Sequence, residues 1–269
     1  MDIKQFQYGI NLQAEACQVI DRYALQVSEE QYLAFKQQFL SDQTTFYEAI
    51  KQQSGYRQFL LYFFVRLAVD AYEEYKLREI ADSVYWDTFS DIAIWCRTCE
   101  RNFGESGINE YGWLKEHVQL RLFKLGRLQF QPIALDSSIA AEDRVLPEGQ
   151  LVLNVHIPEG EPLDEQRVEQ SFEQARAFFR GIPPIFVCRS WLLDPKLTHI
   201  LKPESNIIAF QKQFHIYACD DSIRQAEERI FNQLQDDPSL YSEQTSLQRS
   251  AKAYLLDGHK LGCGSGIKM

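Results

Sequence analysis

The sequence predicts an α+β protein, with an N-terminal helical bundle followed by an α/β domain that contains a mixed central sheet. Three observations support this fold class. Apolar residues recur at helical spacing before residue 120, and short alternating stretches separate helical stretches after residue 132. Between them, Gly126 lies where a helix usually ends, and Leu128 and Phe130 alternate with polar residues as in a half-buried strand. The chain therefore changes from helical to mixed structure within residues 120–132.

The helical half is predicted from apolar spacing and capping residues. Residues 3–25 carry apolar side chains on one face. Ser28-Glu-Glu-Gln31 is a capping box that starts a second helix, and a third helix follows shortly after residue 41. The helix predicted over 57–80 is apolar on nearly every side between residues 59 and 67, so we expect it at the centre of the bundle. Further helices are predicted over 82–95 and 113–125.

The second half alternates between strand and helix patterns, which predicts a sheet covered by helices, with strands of mixed direction. The helix signal of Pro162-Leu-Asp-Glu165 is typical of a first turn. Strands are predicted over 127–135, 150–157, 185–192 and 206–218, helices over 163–180 and 222–235, a short turn or helix over 194–201, and a final segment over 246–258.

Composition and charge exclude several classes of protein. Hydrophobic residues make up 45% of the 269 residues, which is ample for a buried core. The formal net charge of -10 opposes binding to nucleic acid and to anionic membranes. The first residues lack the pattern of a secretory signal, and the most apolar segment, 59–69, contains Arg66 and is shorter than the ~18 residues of a membrane span. We therefore expect a cytoplasmic protein with no nucleic-acid or membrane partner.

Metal and redox chemistry are disfavoured by the cysteine and carboxylate patterns. The six cysteines are scattered, as expected for reduced thiols. Cys96 and Cys99 have the spacing of half a zinc site, but no second pair completes it, so we expect no metal. Asp87 and Asp91 share a helical face; they can bind a cation or act as acid and base, while a solvated or Arg-paired face is the alternative.

A histidine at a strand end is the first candidate for catalysis. His156 ends a predicted strand that leads into a turn with Pro158 and Gly160, and active sites often lie in such loops. His156 can act as a general base, and Glu161 is close enough in sequence to orient its imidazole. The alternative is a histidine satisfied by a backbone carbonyl.

Two further segments carry candidate binding residues. Strand alternation places Arg189 and Trp191 on one face, where Arg189 can bind an anionic group, and Cys188 on the other. Cys188 lacks the local signature of an activated nucleophile. Asn206 and Gln211, on the strand predicted over 206–218, have amides that can pair with a ligand or with loop backbone.

The glycine-rich segment 262–266 is similar to a phosphate-binding loop only in composition. A phosphate loop follows a strand and precedes a helix, whereas here the sequence ends three residues later. We therefore expect a flexible tail.

Six segments together carry a resemblance to a known family. They are YWDTFSDI (85–92), LRLFKLGRLQF (120–130), VHIP (155–158), CRSWLLDP (188–195), SNIIAFQ (205–211) and DGHKLGCGSGI (257–267). These segments resemble a family of bacterial acyltransferases that pair a helical N-terminal domain with a GNAT-like C-terminal domain. The resemblance implies a boundary near residue 118, and thus a helical domain over 1–118 and a GNAT-like α/β domain over 119–269. It also implies acyl-CoA as co-substrate and an amine of unknown identity as acceptor.

The resemblance implies direct attack of a neutral amine on the thioester carbonyl. His156 or Glu161 would then be the base, and Arg189 and Arg127 would contact substrate or the CoA phosphates. The Gln/Arg-x-x-Gly-x-Gly/Ala loop by which GNAT enzymes bind CoA pyrophosphate is absent from every strand-to-helix junction. That absence favours the alternative function, a non-catalytic module that binds a small molecule or a partner protein in the cleft between the two domains. Residues assigned to substrate binding are Trp191, Asn206 and Gln211.

Overall fold

The computed structural model describes residues 1–141 and 144–269. These residues divide into two units, Met1–Leu125 and Gly126–Met269. The first unit is mainly helical, and the second combines helices with a mixed sheet. The predicted fold class is confirmed, while the domain boundary near residue 118 stays a prediction.

The first unit is built around one long helix. Its elements are α1 (Ile3–Gly9), α2 (Ala14–Gln26), α3 (Glu29–Ser41), α4 (Gln43–Lys51), α5 (Tyr56–Leu77), α6 (Asp82–Phe89), α7 (Asp91–Phe103), α8 (Tyr111–Val118) and the short strand β1 (Phe123–Leu125). Every residue of α5 from Phe59 to Val65 is buried, so the helix is surrounded by protein on all sides. The ring of Phe63 lies 4.9 Å from Phe46 and 5.6 Å from Phe39. The central position predicted for this helix is confirmed.

Capping side chains set where the helices begin. The predicted capping box is present before α3, where Ser28 Oγ accepts from the Gln31 amide at 3.2 Å and Gln31 Oε1 accepts from the Ser28 amide at 2.8 Å. The single helix predicted over 3–25 is wrong, because the chain breaks between α1 and α2. Asn11 there has a φ of 50°, and an added Cβ at Gly9 would lie 2.3 Å from the Trp86 ring.

The second unit contains a mixed sheet with the strand order β2-β5-β6-β8-β7. Within it, β5 and β6 run parallel, and each other described pair of neighbouring strands runs antiparallel. A separate hairpin is formed by β3 and β4. The elements are β2 (Leu128–Ala134), β3 (Ile139–Ala141), β4 (Arg144–Leu146), β5 (Leu151–His156), α9 (Glu165–Phe178), β6 (Phe186–Ser190), α10 (Asn206–Gln211), β7 (His215–Asp220), α11 (Gln225–Phe231), α12 (Ser246–Leu256) and β8 (Cys263–Lys268).

Helix α9 covers one face of this sheet through aromatic contacts. The Phe172 ring lies 4.8 Å from Phe186 on β6, in an edge-to-face arrangement, and both rings lie 5.8 Å from Phe130 on β2. All three side chains are fully buried. The contacts fix α9 over β2 and β6, and therefore fix the loop that leads from β5 into α9.

Two predictions for the second unit are wrong. The strand predicted over 206–218 is the helix α10 followed by the strand β7. Ser205 starts this helix, since its Oγ accepts from the Ile207 amide at 3.2 Å. The expected flexible tail at 262–266 is instead the start of β8, which lies between β6 and β7 in the sheet. Its glycines conceal the strand because they leave no apolar alternation in the sequence.

The glycines of β8 allow another backbone segment to lie against the strand. A 3-10 helix, Trp191–Leu193, follows β6 directly. A Cβ added at Gly264 would lie 2.0 Å from the Leu193 carbonyl oxygen, so only glycine fits. Asp194, which is fully buried, completes the contact because its Oδ2 accepts from the Gly262 amide at 2.6 Å.

The buried carboxylate of Glu227 connects α11 to the segment that follows it. Glu227 is 6% exposed and accepts from Arg224 Nε at 2.9 Å and from Tyr241 Oη at 2.8 Å. Burial by itself raises the pKa of Glu227, but the hydrogen bonds from Arg224 and Tyr241 outweigh burial and hold this pKa below its ordinary value.

Among the described residues, no helix is both long enough and apolar enough to cross a membrane.

Candidate functional site

The parallel strands β5 and β6 separate towards their carboxyl ends. Their pairing covers two positions, Leu153 with Phe186 and Asn154 with Val187. Strand β5 nevertheless continues to His156 and β6 to Ser190. The carboxyl ends of parallel strands are where ligands bind in open α/β sheets, so this opening is the candidate site.

Backbone hydrogen bonds join β5 to β6 as far as Val155. The Leu153 amide donates to the Ile185 carbonyl at 2.9 Å, towards β6. Because the direction of backbone groups repeats every two residues along a strand, the Val155 amide also points towards β6. In a parallel ladder, the pairing of Asn154 with Val187 uses this amide as the donor to the Val187 carbonyl. The opening therefore begins beyond Val155.

His156 lies on the polar face of β5 within a group of amide side chains. The register pairs His156 with Gln129 and Asn154 with Gln131, which places all four side chains on one face. His156 Nε2 lies 3.1 Å from Gln131 Oε1 and 3.2 Å from Asn154 Nδ2. A carbonyl oxygen requires Nε2–H, whereas an amide donor requires the lone pair, so the orientation of the two amides selects the tautomer. The arrangement holds the ring through Nε2.

Glu161, the other predicted base, lies in the loop before α9. Its carboxylate forms an ion pair with Arg167 in the first turn of α9, and both side chains are partly exposed. The structure thus places Glu161 with Arg167, and His156 with Gln131 and Asn154. The catalytic roles of both residues stay predictions.

Arg127 is buried behind the same loop. Its side chain is 3% exposed, with Nε donating to the Pro162 carbonyl at 3.0 Å and Nη2 to the Glu161 carbonyl at 2.6 Å. Burial lowers the pKa of Arg127, and the Glu161 carboxylate partly offsets this. Nη1 is buried without a hydrogen-bond partner among the described residues. Arg127 thus binds the backbone of the loop rather than projecting from the surface of the protein.

The first turn of α9 supplies further unpaired donors. Asp164 caps the helix, with its Oδ1 accepting from the Arg167 amide at 3.0 Å. The amides of Glu165 and Gln166 precede the first intrahelical bond, which runs from Val168 to the Asp164 carbonyl. Such a helix start attracts anions. Four acidic side chains also lie in or next to this turn, and they are Glu159, Glu161, Asp164 and Glu165.

Arg189 shares the polar sheet face with Asn154 and His156. This follows from the pairing of Asn154 with Val187 and the period of two along each strand. The Arg189 side chain is exposed, and its Nη2 donates to Asp220 Oδ2 at 3.2 Å. The guanidinium is therefore accessible, with one ion pair. Its role in cofactor binding stays a prediction.

The predicted substrate-binding residues lie in different surroundings. The ring of Trp191 is half-buried against the apolar cluster around Leu197. Asn206 is exposed at the start of α10. Gln211, 6% exposed, donates through Nε2 to the carbonyls of Leu192 and Asp194, each at 2.8 Å. The Gln211 amide therefore pairs with loop backbone, which is the alternative to ligand binding expected from the sequence. Substrate binding by these three residues stays a prediction.

A covalent intermediate on cysteine is disfavoured. Cys188 is buried, and burial raises the pKa of its thiol, which disfavours the nucleophilic thiolate. Burial likewise raises the pKa of Cys96 to about 12 and that of Cys99 to about 11. All six cysteines are free. The described residues contain no group of three or more His, Cys, Asp or Glu side chains that can hold a metal ion.

A second polar cluster lies within the first unit. Asp91, 3% exposed, accepts from Trp113 Nε1 at 2.8 Å and from Trp95 Nε1 at 3.2 Å, and lies 3.0 Å from His117 Nε2. The carboxylate is therefore buried and bound by two indole N–H groups rather than solvated. The contacts connect α7 to α8, and residue spacing gave no signal for the histidine or for Trp113.

The fold and the opening together define a class of protein. A mixed sheet with separated parallel strands, followed by a loop and a covering helix, is the GNAT-like arrangement. Residues 122–268 match the family of GNAT-like C-terminal domains, and residues 1–120 match the family of N-acyltransferase N-terminal domains. The chain belongs to this GNAT-like N-acyltransferase family.

Solved structures of similar fold are acyltransferases. One, in complex with decanoyl-CoA, is 26% identical, with a TM-score of 0.69 over 81% of this chain and 67% of that chain. Another, in complex with CoA and 10C-teicoplanin, is also 26% identical, with a TM-score of 0.67 over 80% and 67% of the two chains. A third, in complex with decanoyl-CoA and teicoplanin, is 21% identical with a TM-score of 0.76 over 98% and 86%, and supports the fold alone. No curated protein matches the chain.

Proposed function

We propose that the protein transfers an acyl group from acyl-CoA to an amine. One observation carries the proposal: β5 and β6 separate directly before the loop that starts α9, within a domain of the GNAT-like family. The opening is suited to an extended thioester donor, because the first turn of α9, in the segment that follows β5, offers N–H groups that precede the first intrahelical bond. The similar acyltransferase structures with bound CoA and decanoyl-CoA support the same donor.

The chemistry is a direct transfer between donor and acceptor. The amine nitrogen attacks the thioester carbonyl carbon while a base removes its proton, and backbone N–H groups polarise the carbonyl oxygen and stabilise the developing oxyanion. Collapse of the intermediate breaks the C–S bond, and the CoA sulfur leaves with a proton. His156 is the proposed base, because its ring is held on the face of the sheet next to the opening. The burial of Cys188 favours this route over an acyl-enzyme.

The role of Arg189, the domain boundary and the cellular location are part of the same proposal. Arg189 is the proposed contact for an anionic part of the donor, since it is accessible on the same face as His156. The boundary in the sequence between the helical and GNAT-like domains is proposed to lie near residue 118. A cytoplasmic location is proposed because the six cysteines are free thiols, as expected in a reducing compartment.

Isothermal titration tests the donor. Acetyl-CoA, octanoyl-CoA and decanoyl-CoA are titrated into the full chain, with free CoA as control, and we expect micromolar binding. Arg189→Ala should weaken binding, whereas Arg180→Ala, an exposed arginine at the end of α9, serves as the matched control. Release of free thiol upon addition of amines then tests turnover. Absence of binding for every CoA species would overturn the proposal in favour of a non-catalytic module.

A further inference from the structure

The turn that carries Arg127 is fixed directly on α9. Gly126 has a φ of 68°, and an added Cβ would lie 2.8 Å from Ser171 Oγ. The Arg127 amide donates to the same oxygen at 2.7 Å, and this hydroxyl donates to the Arg167 carbonyl at 2.9 Å. The backbone of Arg127 is therefore positioned by the helix whose first turn lies in the candidate site.

The Arg127 guanidinium determines the orientation of the loop backbone. It binds the carbonyls of two consecutive residues, Glu161 and Pro162, from the buried side. In a trans peptide the N–H points opposite to the C=O, and the described residues contain no cis peptide. The Leu163 amide therefore points away from the guanidinium. Proline at 162 has no N–H group, so no donor of that residue competes for the same direction.

The positive charge of Arg127 also favours phosphate binding at this loop. The loop and the start of α9 carry four carboxylates, which oppose the approach of a phosphate. The buried cation of Arg127 lies behind the loop and offsets this field, and a guanidinium stays protonated even where burial lowers its pKa. Its Nη1 has no partner among the described residues, and an unsatisfied buried donor costs about 1–3 kcal/mol.

We propose that Arg127 is the positioning residue that enables the loop before α9 to bind the pyrophosphate of acyl-CoA without a glycine motif. By holding the carbonyls of Glu161 and Pro162 inward, it directs the amide of Leu163 and the first turn of α9 towards the phosphates. The inference rests on the proposed function. It differs from direct contact between the Arg127 side chain and the donor, because the side chain acts through the backbone of the loop.

A donor that lacks the pyrophosphate separates this role from a general structural one. The dissociation constants of octanoyl-CoA and S-octanoyl-pantetheine are measured for the wild type, Arg127→Met, Arg127→Lys and the control Arg180→Met. We expect Arg127→Met to weaken octanoyl-CoA binding about 100-fold and pantetheine binding less than about 3-fold. Arg127→Lys should show a smaller loss, again confined to octanoyl-CoA, because an ammonium can bind a carbonyl but lacks the planar fork.

Results that overturn the role of Arg127 differ from results that overturn the proposed function. Equal losses for both donors, or no loss for either, would overturn the role of Arg127 while leaving the acyltransferase proposal intact. Failure of the wild type to bind any CoA species would instead overturn the proposed function. Thermal unfolding of each variant identifies loss of fold. If Arg127→Met does not fold, a loss of affinity confined to octanoyl-CoA in Arg127→Lys still supports the inference, whereas equal losses for both donors in Arg127→Lys overturn it.

Discussion

At the scale of single residues, two amide side chains hold the ring of His156. Gln131 Oε1 lies 3.1 Å from Nε2, and Asn154 Nδ2 lies 3.2 Å from the same nitrogen. These contacts restrict rotation of the ring, and a general base must be held in reach of the proton that it removes.

Replacing His156 should therefore affect the chemical step more than donor binding. We expect His156→Ala to lower kcat by about 10²–10⁴-fold, because a positioned base contributes that much, while the KM for acyl-CoA changes less than about 3-fold. Steady-state thiol release across pH 5–9 measures both values. His199→Ala is the control, since His199 is exposed and stacks on Tyr254. An unchanged kcat and pH profile would exclude His156 as the base.

Glu227 makes the stability of the protein depend on pH. Its pKa is lower in the folded protein than its ordinary value of 4.5, because the bonds from Arg224 and Tyr241 outweigh burial. The contribution of a carboxylate with a lowered pKa is fully present above the unfolded pKa and is lost as the pH falls through the folded pKa. The ion pair thus stabilises the protein at neutral pH, and this stabilisation is lost as the pH falls below 4.5 and through the lowered pKa.

Glu227→Gln should lower the free energy of unfolding at pH 7 by about 1.5–3 kcal/mol, the range for a hydrogen bond to a charged group. The difference from wild type should shrink as the pH falls below 4.5, the ordinary pKa. Urea unfolding between pH 3 and 7 measures this, with Glu228→Gln at the neighbouring exposed position as control. A difference that stays constant over that range would contradict the role of the carboxylate charge.

At the scale of elements, β8 and the 3-10 helix after β6 depend on each other. The strand supplies glycines against which the backbone of Leu193 lies, and Asp194 then accepts from the Gly262 amide. Gln211 of α10 binds the carbonyls on both sides of the same turn. Segments far apart in sequence therefore form one assembly at the end of β6.

Gly264→Ala should test this close approach. The added methyl group would lie 2.0 Å from the Leu193 carbonyl, so the backbone must shift, and we expect a loss of about 1–3 kcal/mol or more in the free energy of unfolding. Gly181→Ala is the matched control, because nothing lies within 4 Å of its added Cβ, and this change should be neutral or slightly stabilising. Chemical denaturation measures both. Equal stability of the two variants would show that the turn can move away at little cost.

At the scale of the whole molecule, the net charge of -10 opposes binding of an anionic donor. Local groups must therefore supply the attraction, and the second unit offers the start of α9, the buried cation of Arg127 and the exposed Arg189. These groups use backbone dipoles and a few guanidiniums instead of a basic surface.

Much of the fold was predictable from local patterns. The capping box at Ser28 and the apolar helix α5 depend on residues close in sequence, and their predicted structure is confirmed. The functional site was predictable only as a list of polar residues near strand ends. Their surroundings depend on which strands are neighbours: pairing of β2 with β5 places Gln131 beside His156, although 25 positions separate them in sequence.

The sequence by itself determined the order of helical and mixed halves, the expected core of α5 and the resemblance to an acyltransferase family, because periodicity, capping and motif order are local properties. Only the tertiary structure decided that the glycine-rich 262–266 begins a strand, that Arg127 binds the loop before α9, and that β5 and β6 separate. The reason is physical, since a backbone carbonyl or amide has the same chemistry in every residue. Its partner is selected by packing and strand pairing, not by the identity of its own side chain.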